Sequence, residues 1–351
     1  MKLMWILMVL PLAVFVLFFL WASYPWQLSP KIVDQAFGRS ATARGPETLP
    51  STVTVLTWNM AYGYGLGSEG TDDYVPRSRQ SFEQNLKKIA QSIRDSGADI
   101  VLLQEIDFAA ARSHGLDQLE SLSEQTGLGH WARAVSWEAQ YIPFPFTPIS
   151  HQFGRMNSGG AVLSRWPITA NRVHLLAKPE SRAWWYNLFY LYRYFQEVTV
   201  KILDRELRLV NLHLEAFDQA TRDHQARQLV ELAKTQKFDF IAGDFNMLPA
   251  GAMKRSGFAN PQDVYETERT YEILKDLPLT EIVAPVAYLQ KEESWFTFPS
   301  LKPDRRLDYI YHSDDRALIS AEVFQTPHAD VSDHLPIKAT FKLFRPDFIR
   351  D

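Results

Sequence analysis

Polar residues stand where apolar runs end, and this recurring pattern constrains the chain more than any other feature. Gly243-Asp244-Phe245-Asn246 follows Phe238-Asp239-Phe240-Ile241-Ala242, Asp308 follows Leu307, and Ser332-Asp333-His334 precedes Leu335-Pro336-Ile337. The pattern recurs earlier, with Asn59 after Thr57-Trp58, Glu105 after Leu102-Leu103-Gln104, and His213 after Asn211-Leu212. Short apolar runs bounded in this way read as buried strands. Polar residues at the ends of buried strands converge on one rim of a sheet. Any one of them alone also fits a cap, a turn or a surface group. Taken together, these carboxylates, amides and histidines predict cleavage of a phosphate ester with a divalent metal. Such chemistry needs hard oxygen ligands, donors aimed at phosphoryl oxygens, and a group that moves a proton near neutral pH.

The elements between these points mix strands with helices. Val53–Thr57, Ile100–Leu103, Phe238–Ala242, Leu307–Tyr311 and Ile337–Phe341 read as strands. Val198, Val200 and Ile202 alternate, then turn through Asp204-Arg205 into Leu207–Leu212, a hairpin signal. Phe82, Leu86, Ile89, Ala90 and Ile93 share a helical face that Gly97 would stop, and Ala226, Leu229, Val230 and Ala233 share another. Leu116, Leu119 and Leu122 suggest a short helix. Hairpins beside helical crossovers predict layered sheets covered by helices, an α/β (α+β) domain over residues 51–345.

Leu3 to Ala22 is an uncharged apolar run interrupted by Pro11. Its length matches the roughly 20 residues that span a bilayer, and Trp21, Tyr24 and Trp26 at its end resemble an interfacial aromatic belt. A cleaved signal peptide is the rival reading. Its apolar core would normally be about 7–15 residues, and no small-x-small site follows directly. Residues 1–25 are therefore expected to form one transmembrane helix, a single-pass membrane anchor. The basic residues Lys31, Arg39 and Arg44 after the run favour a cytoplasmic domain. The short charged start resembles an export signal, and the outer face is the expectation. Residues 26–50, rich in Pro, Ser, Thr and Ala, read as a linker.

Composition excludes more than it assigns. The chain has no cysteine, so disulfides, thiolate metal sites, a lipoprotein anchor and a cysteine nucleophile are ruled out. Its net charge of −4 lacks the basic excess that drives general nucleic-acid binding.

Thr57-Trp58-Asn59-Met60, Leu103-Gln104-Glu105, Gly243-Asp244-Phe245-Asn246, Leu307-Asp308-Tyr309 and Ser332-Asp333-His334-Leu335-Pro336 together resemble the endonuclease/exonuclease/phosphatase superfamily, the DNase-I-like phosphoesterases. The resemblance runs in order from about residue 52 to 342. It implies a four-layer αββα sandwich and a metal-dependent hydrolase. Matched by position, Glu105 is similar to the main Mg²⁺ ligand, with Asn59 beside it and Asp333 a second ligand or a neighbour of one. Mn²⁺ is the other candidate ion. His334 resembles the essential histidine and Asp308 the carboxylate that orients it. Asp244 resembles the group that aligns or deprotonates the attacking water, and Asn246 and His213 resemble donors to phosphoryl oxygens. Which of Asp244 and His334 is the general base stays open here. His213, in Asn211–Phe217, looks more like the DNase-I, sphingomyelinase and phosphoinositide-phosphatase branches than like apurinic-site nucleases, which generally carry a tyrosine there.

Two segments bear on substrate. Tyr141–Phe146 is a proline-aromatic loop at the expected rim, and Trp184–Phe195 is densely aromatic without strict period. The aromatic segment reads as packing against the sandwich, as a loop dipping into lipid headgroups, or as a base-stacking surface. Arg155, Arg165 and Arg182 are either headgroup ligands or ordinary surface arginines. With the anchor, these features favour a phospholipid or sphingolipid headgroup as substrate. An anchored nuclease is the alternative, and an inactive binding module a third.

Overall fold

The computed structural model describes residues 2–26, 29–41, 43, 48–66, 75–259 and 265–343, with side chains from residue 10 onward. Its strands are β1 (Lys31–Asp34), β2 (Phe37–Arg39), β3 (Thr52–Asn59), β4 (Ile100–Asp107), β5 (His130–Ile142), β6 (Gly154–Ser164) and β7 (Ile168–Leu175). They continue as β8 (Tyr194–Ile202), β9 (Arg205–His213), β10 (Phe240–Asp244), β11 (Thr280–Glu281), β12 (Asp308–His312), β13 (Leu318–Val323) and β14 (Ile337–Lys342). Among the described residues they form two seven-stranded sheets, β1-β7-β8-β9-β10-β12-β11 and β13-β14-β3-β4-β6-β5-β2.

The helices include α1 (Lys2–Ser23), α2 (Arg79–Ser96), α3 (Gln118–Thr126), α4 (Trp184–Asn187) and α5 (Gln219–Thr235), with further short helices at Thr270–Leu274 and Pro285–Gln290. Each sheet is built around a parallel pair joined by a helix. β3 and β4 pair in parallel across α2, and β9 and β10 do so across α5. Ser78 caps α2 by accepting from the Ser81 N–H, and Gly97 ends it at φ +67°.

Side-chain alternation sorts the layers. Val53 and Val55 of β3, Ile100 and Leu102 of β4, Leu207 and Leu209 of β9, and Phe240 and Ala242 of β10 face one another between the sheets. The alternate residues Leu56, Trp58, Val101 and Leu103 pack outward under the faces of α2 and α3. Val210, Leu212 and Ile241 pack outward under Ala226, Leu229, Val230 and Ala233 of α5. The result is the expected helix–sheet–sheet–helix sandwich, with its main core between the sheets.

Part of the segment read as a linker is structured, which corrects that reading for residues 31–39. β1 pairs antiparallel with β7, and β2 with β5, each closing a sheet edge. Both strands are short and mostly exposed, so backbone pairing to an open edge holds them and no apolar period marks them.

The expected anchor is helical from Lys2 to Ser23. Among the described residues no helix is long and apolar enough to cross a membrane. Part of the run read as a span, residues 1–9, lies outside the residues with described side chains. The last turns of α1 dock on the domain. Phe18 and Trp21 meet Tyr141, Phe19 meets Phe189 and Trp184, and the Gln140 N–H donates to the Tyr24 carbonyl.

Candidate active site

At one end of the two sheets the inward-facing positions change from apolar to polar. In β3 the series Val53, Val55, Thr57 ends at Asn59, and in β9 the series Leu207, Leu209, Asn211 ends at His213. Asp244 ends β10 and Asp308 begins β12, and the two are register partners; Asp244 also pairs with His213. A buried amide ladder lies beneath them. Gln104 donates to Asn211 at 2.7 Å, Asn211 donates to Gln196 at 3.0 Å, and Gln196 donates to Asn171 at 3.0 Å. These bonds satisfy polar groups that would otherwise be costly between two sheets.

Backbone shape aims the key side chains. A register shift between Leu103 and Ile106 puts a bulge in β4, and Glu105 sits on it at φ +54°. Asn246 has φ +50° just past the end of β10. Such non-glycine conformations cost energy and cluster at functional sites. A Cβ on Gly243 would lie 2.0 Å from the Leu212 carbonyl oxygen, so glycine is needed where β10 closes onto β9.

The predicted residues meet. His334 places Nδ1 2.8 Å from Asp308 Oδ2 and Nε2 3.8 Å from Asp244 Oδ2. Asn59 donates from Nδ2 to Asp244 Oδ2 at 3.0 Å, and the Asn246 N–H donates to Asp244 Oδ1 at 2.9 Å. His213 Nε2 lies 3.3 Å from Asp244 Oδ2 and 3.9 Å from Glu105 Oε1. Asn246 spends its amide on the Leu214 carbonyl at 3.0 Å. Ser332 ties the two ends of the site together, donating to the Asn59 carbonyl at 2.7 Å and accepting from the His334 N–H at 3.1 Å. Phe298 packs on the His334 ring with centroids 4.9 Å apart.

Burial with crowded charge sets the protonation states. Burial, with Asp333 beside it, raises the Glu105 carboxyl to about 8. Burial raises Asp244 to about 6, against the pull of His334, and raises Asp333 too. Burial alone would depress His334, but the Asp308 and Asp244 carboxylates outweigh it and push the imidazole up to about 10. Burial, Arg193 and His334 hold His213 well below the ordinary range, so it is neutral. Asp308 Oδ1 is buried without a hydrogen-bond partner.

Glu105 feels both Asp333 and Asp244 as neighbouring charges, and carboxyl oxygens are the donors a hard divalent cation takes. Asp244, Asp308 and His334 also offer ligand atoms within 4.8 Å of one another. In that trio the imidazole Nδ1 is already committed to Asp308, which suits a proton-handling pair better than a cation cage.

Two residues without a predicted role line the same cavity. Arg193, buried, places Nη1 against His213 Nε2 and Nε 3.5 Å from Glu215. Arg112 pairs with Asp107 at 2.9 Å and lies 3.6 Å above the centre of the Tyr62 ring. Arg193 stands within the aromatic segment Trp184–Phe195, and no local pattern in the sequence marks it. By contrast Arg155, Arg165 and Arg182 are exposed and do not line the cavity, which agrees with the surface alternative of the two readings; Arg165 pairs with Asp99 at 2.7 Å. The aromatic segment divides. Trp184 and Trp185 are exposed, while Tyr192, Tyr194 and Phe195 are buried.

Residues 56–334 match the Endonuclease/Exonuclease/phosphatase family. The chain belongs to that family. Its members are metal-dependent hydrolases of phosphate esters, nucleases among them. The fold is similar to an endonuclease/exonuclease/phosphatase structure from Beutenbergia cavernae DSM 12333, with TM-score 0.58 and 19% identity over 84% of this chain and 72% of that one. It is also similar to the mannosyl-6-phosphatase Bt3783 of Bacteroides thetaiotaomicron, with TM-score 0.51 and 16% identity over 82% and 98%. The human Nocturnin catalytic domain gives TM-score 0.50 and 19% identity over 88% and 97%. At these identities the likeness carries the fold alone. No curated protein matches the sequence.

Proposed function

We propose that this protein is a metal-dependent phosphodiesterase or phosphatase, held at a membrane through α1 with its catalytic domain on the outer face, and that its substrate is a phospholipid or sphingolipid headgroup. The carrying observation is His334, bound to Asp308 at 2.8 Å and facing Asp244 at 3.8 Å at the polar end of a cavity. Asp244 ionises above about 6 and His334 stays protonated to about 10, so at neutral pH one accepts a proton while the other donates. Asp244 is therefore the base that takes the proton of the attacking water, and its oxygens are held in place by Asn59 and the Asn246 N–H. Imidazolium His334, oriented by Asp308, donates toward the phosphoryl or leaving oxygen. His213, neutral and against Arg193, places that guanidinium beside the phosphate position. Glu105, with Asn59 and Asp333 beside it, would hold a divalent cation, Mg²⁺ or Mn²⁺, which would neutralise the charge added at phosphorus.

The aromatic lining of the cavity supports a lipid over nucleic acid. Of the lining residues, Lys254 and buried Arg305 share the one carboxylate of Asp304, each at 2.7 Å. The test is hydrolysis, with Mg²⁺ present, of a panel of phospholipids, sphingomyelin, plasmid DNA and bis(p-nitrophenyl) phosphate, beside His334→Ala. Lipid turnover lost in the variant is expected. DNA cleavage without lipid turnover makes the protein an anchored nuclease, and no turnover of any ester removes the hydrolytic reading.

A further inference from the structure

The catalytic cluster is one end of a cavity of about 1400 Å³, above the roughly 300–1,000 Å³ that suits a drug-sized ligand. From His334, Asp244 and Glu105 it runs past Trp137 and Phe153 to an aromatic mouth. Part of that mouth is α1 itself, whose Phe15, Phe18 and Phe19 line the cavity. These three lie at the i, i+3, i+4 spacing of one helical face, and Ala22 continues it as a fully buried contact. The other faces of α1 are apolar as well. Leu10 and Leu17 are 61% and 66% exposed, and Phe146 and Ile149 beside the mouth are 66% and 74% exposed. A helix that is apolar all round matches a hydrocarbon surrounding on the side away from the protein, and a large exposed apolar belt marks an interaction surface.

We propose that this cavity takes the hydrocarbon chain of a phosphate-ester lipid drawn from the bilayer, with the phosphate at the His334 end, and that α1 is one wall of the substrate site as well as a tether. This rests on the phosphoesterase reading for the polar end. It goes beyond that reading in giving the chain, and not the headgroup alone, a binding site. Continuity carries the argument, because one cavity joins the carboxylates to a helix whose side away from the domain is also apolar. Burial of methylenes in such a lining is favourable from water, but a chain already in a bilayer gains little. The phosphate end must therefore set which lipid stays, and chain and phosphate are recognised together.

The experiment uses the full chain in phosphatidylcholine nanodiscs with Mg²⁺. Two probes carry the same twelve-carbon chain with a terminal diazirine, one ending in a phosphate and one in an alcohol, and adducts are mapped by mass spectrometry after irradiation. Half-buried Phe19 and buried Phe153, which line the cavity, should be labelled severalfold more by the phosphate probe, while outward Leu10 and Leu17 are labelled equally by both. Phe19→Glu should abolish the excess, and Phe19→Leu should keep it. Equal labelling of both faces by both probes overturns the proposal, as does an absence of adducts inside the cavity. The same samples are assayed on bis(p-nitrophenyl) phosphate. Hydrolysis without selective labelling overturns the chain site and leaves the phosphoesterase standing. Selective labelling without any ester hydrolysis supports the chain site and removes the hydrolytic reading.

Discussion

Glu105 illustrates how the site stores its purpose in single residues. Its carboxyl is raised to about 8 by burial and by Asp333, so the metal-free protein holds it protonated at neutral pH. In the unfolded chain the same group ionises near its ordinary 4.5. Between those values the folded state binds the extra proton, so this residue's contribution to stability falls as pH rises from 4.5 to about 8. Glu105→Gln mimics the protonated form. In chelator-treated protein it should have little effect at pH 4.5 and should stabilise by roughly 2–4 kcal/mol at pH 8. Urea unfolding at the two values measures this, and a substitution effect independent of pH would contradict it. Saturating Mg²⁺ should reverse the ranking at pH 8, because wild type gains a ligand interaction that the amide lacks.

Among the elements, β10 does most to build the site. Within five residues it passes from the inter-sheet core at Phe240 to the carboxylate of Asp244, pairing in parallel with β9 and antiparallel with β12. Gly243 permits that closeness, and Gly243→Ala would set a methyl 2.0 Å from the Leu212 carbonyl oxygen. The strand must then shift, at about 1–3 kcal/mol by the usual cost of overpacking. The thermal midpoint should drop by several degrees, and Asp244 should move out of reach of Asn59. A melting curve and an assay on a soluble diester check this; unchanged values of both would show that the strand absorbs the methyl without moving. The β4 bulge has a comparable effect, turning Glu105 toward the other sheet.

The two sheets of the sandwich depend on one core. Residues from β3, β4, β9, β10, β12 and β14 share a single buried cluster between the sheets, so neither sheet buries its inner face without the other. Leu102→Ala in one sheet and Leu209→Ala in the other should each cost about 2–5 kcal/mol. Each should shift far-UV circular dichroism and tryptophan fluorescence to the same new midpoint. Separate transitions for the two probes would mean that the sheets unfold independently.

What the sequence determined by itself was local and chemical. Strand cores, the apolar faces of α2 and α5, and polar groups at strand ends follow from periodicity, because alternation and helical spacing are short-range properties. The residues at the site were legible for the same reason, since each motif carries its chemistry within a few positions. Tertiary structure alone decided how they meet. Asn59 bonds Asp244 across 185 positions of chain, and no local pattern encodes that distance. Protonation was likewise invisible, because burial and neighbours, not residue type, raise His334 and depress His213. Edge strands β1 and β2 escaped notice because backbone pairing to an open edge leaves no side-chain period. Arg193 looked like one more residue of an aromatic run until folding buried it against His213. The apolar start of the chain was plain in the sequence. Its place as a wall of the catalytic cavity depends on contacts with Tyr141 and Phe189 that only the folded chain brings together.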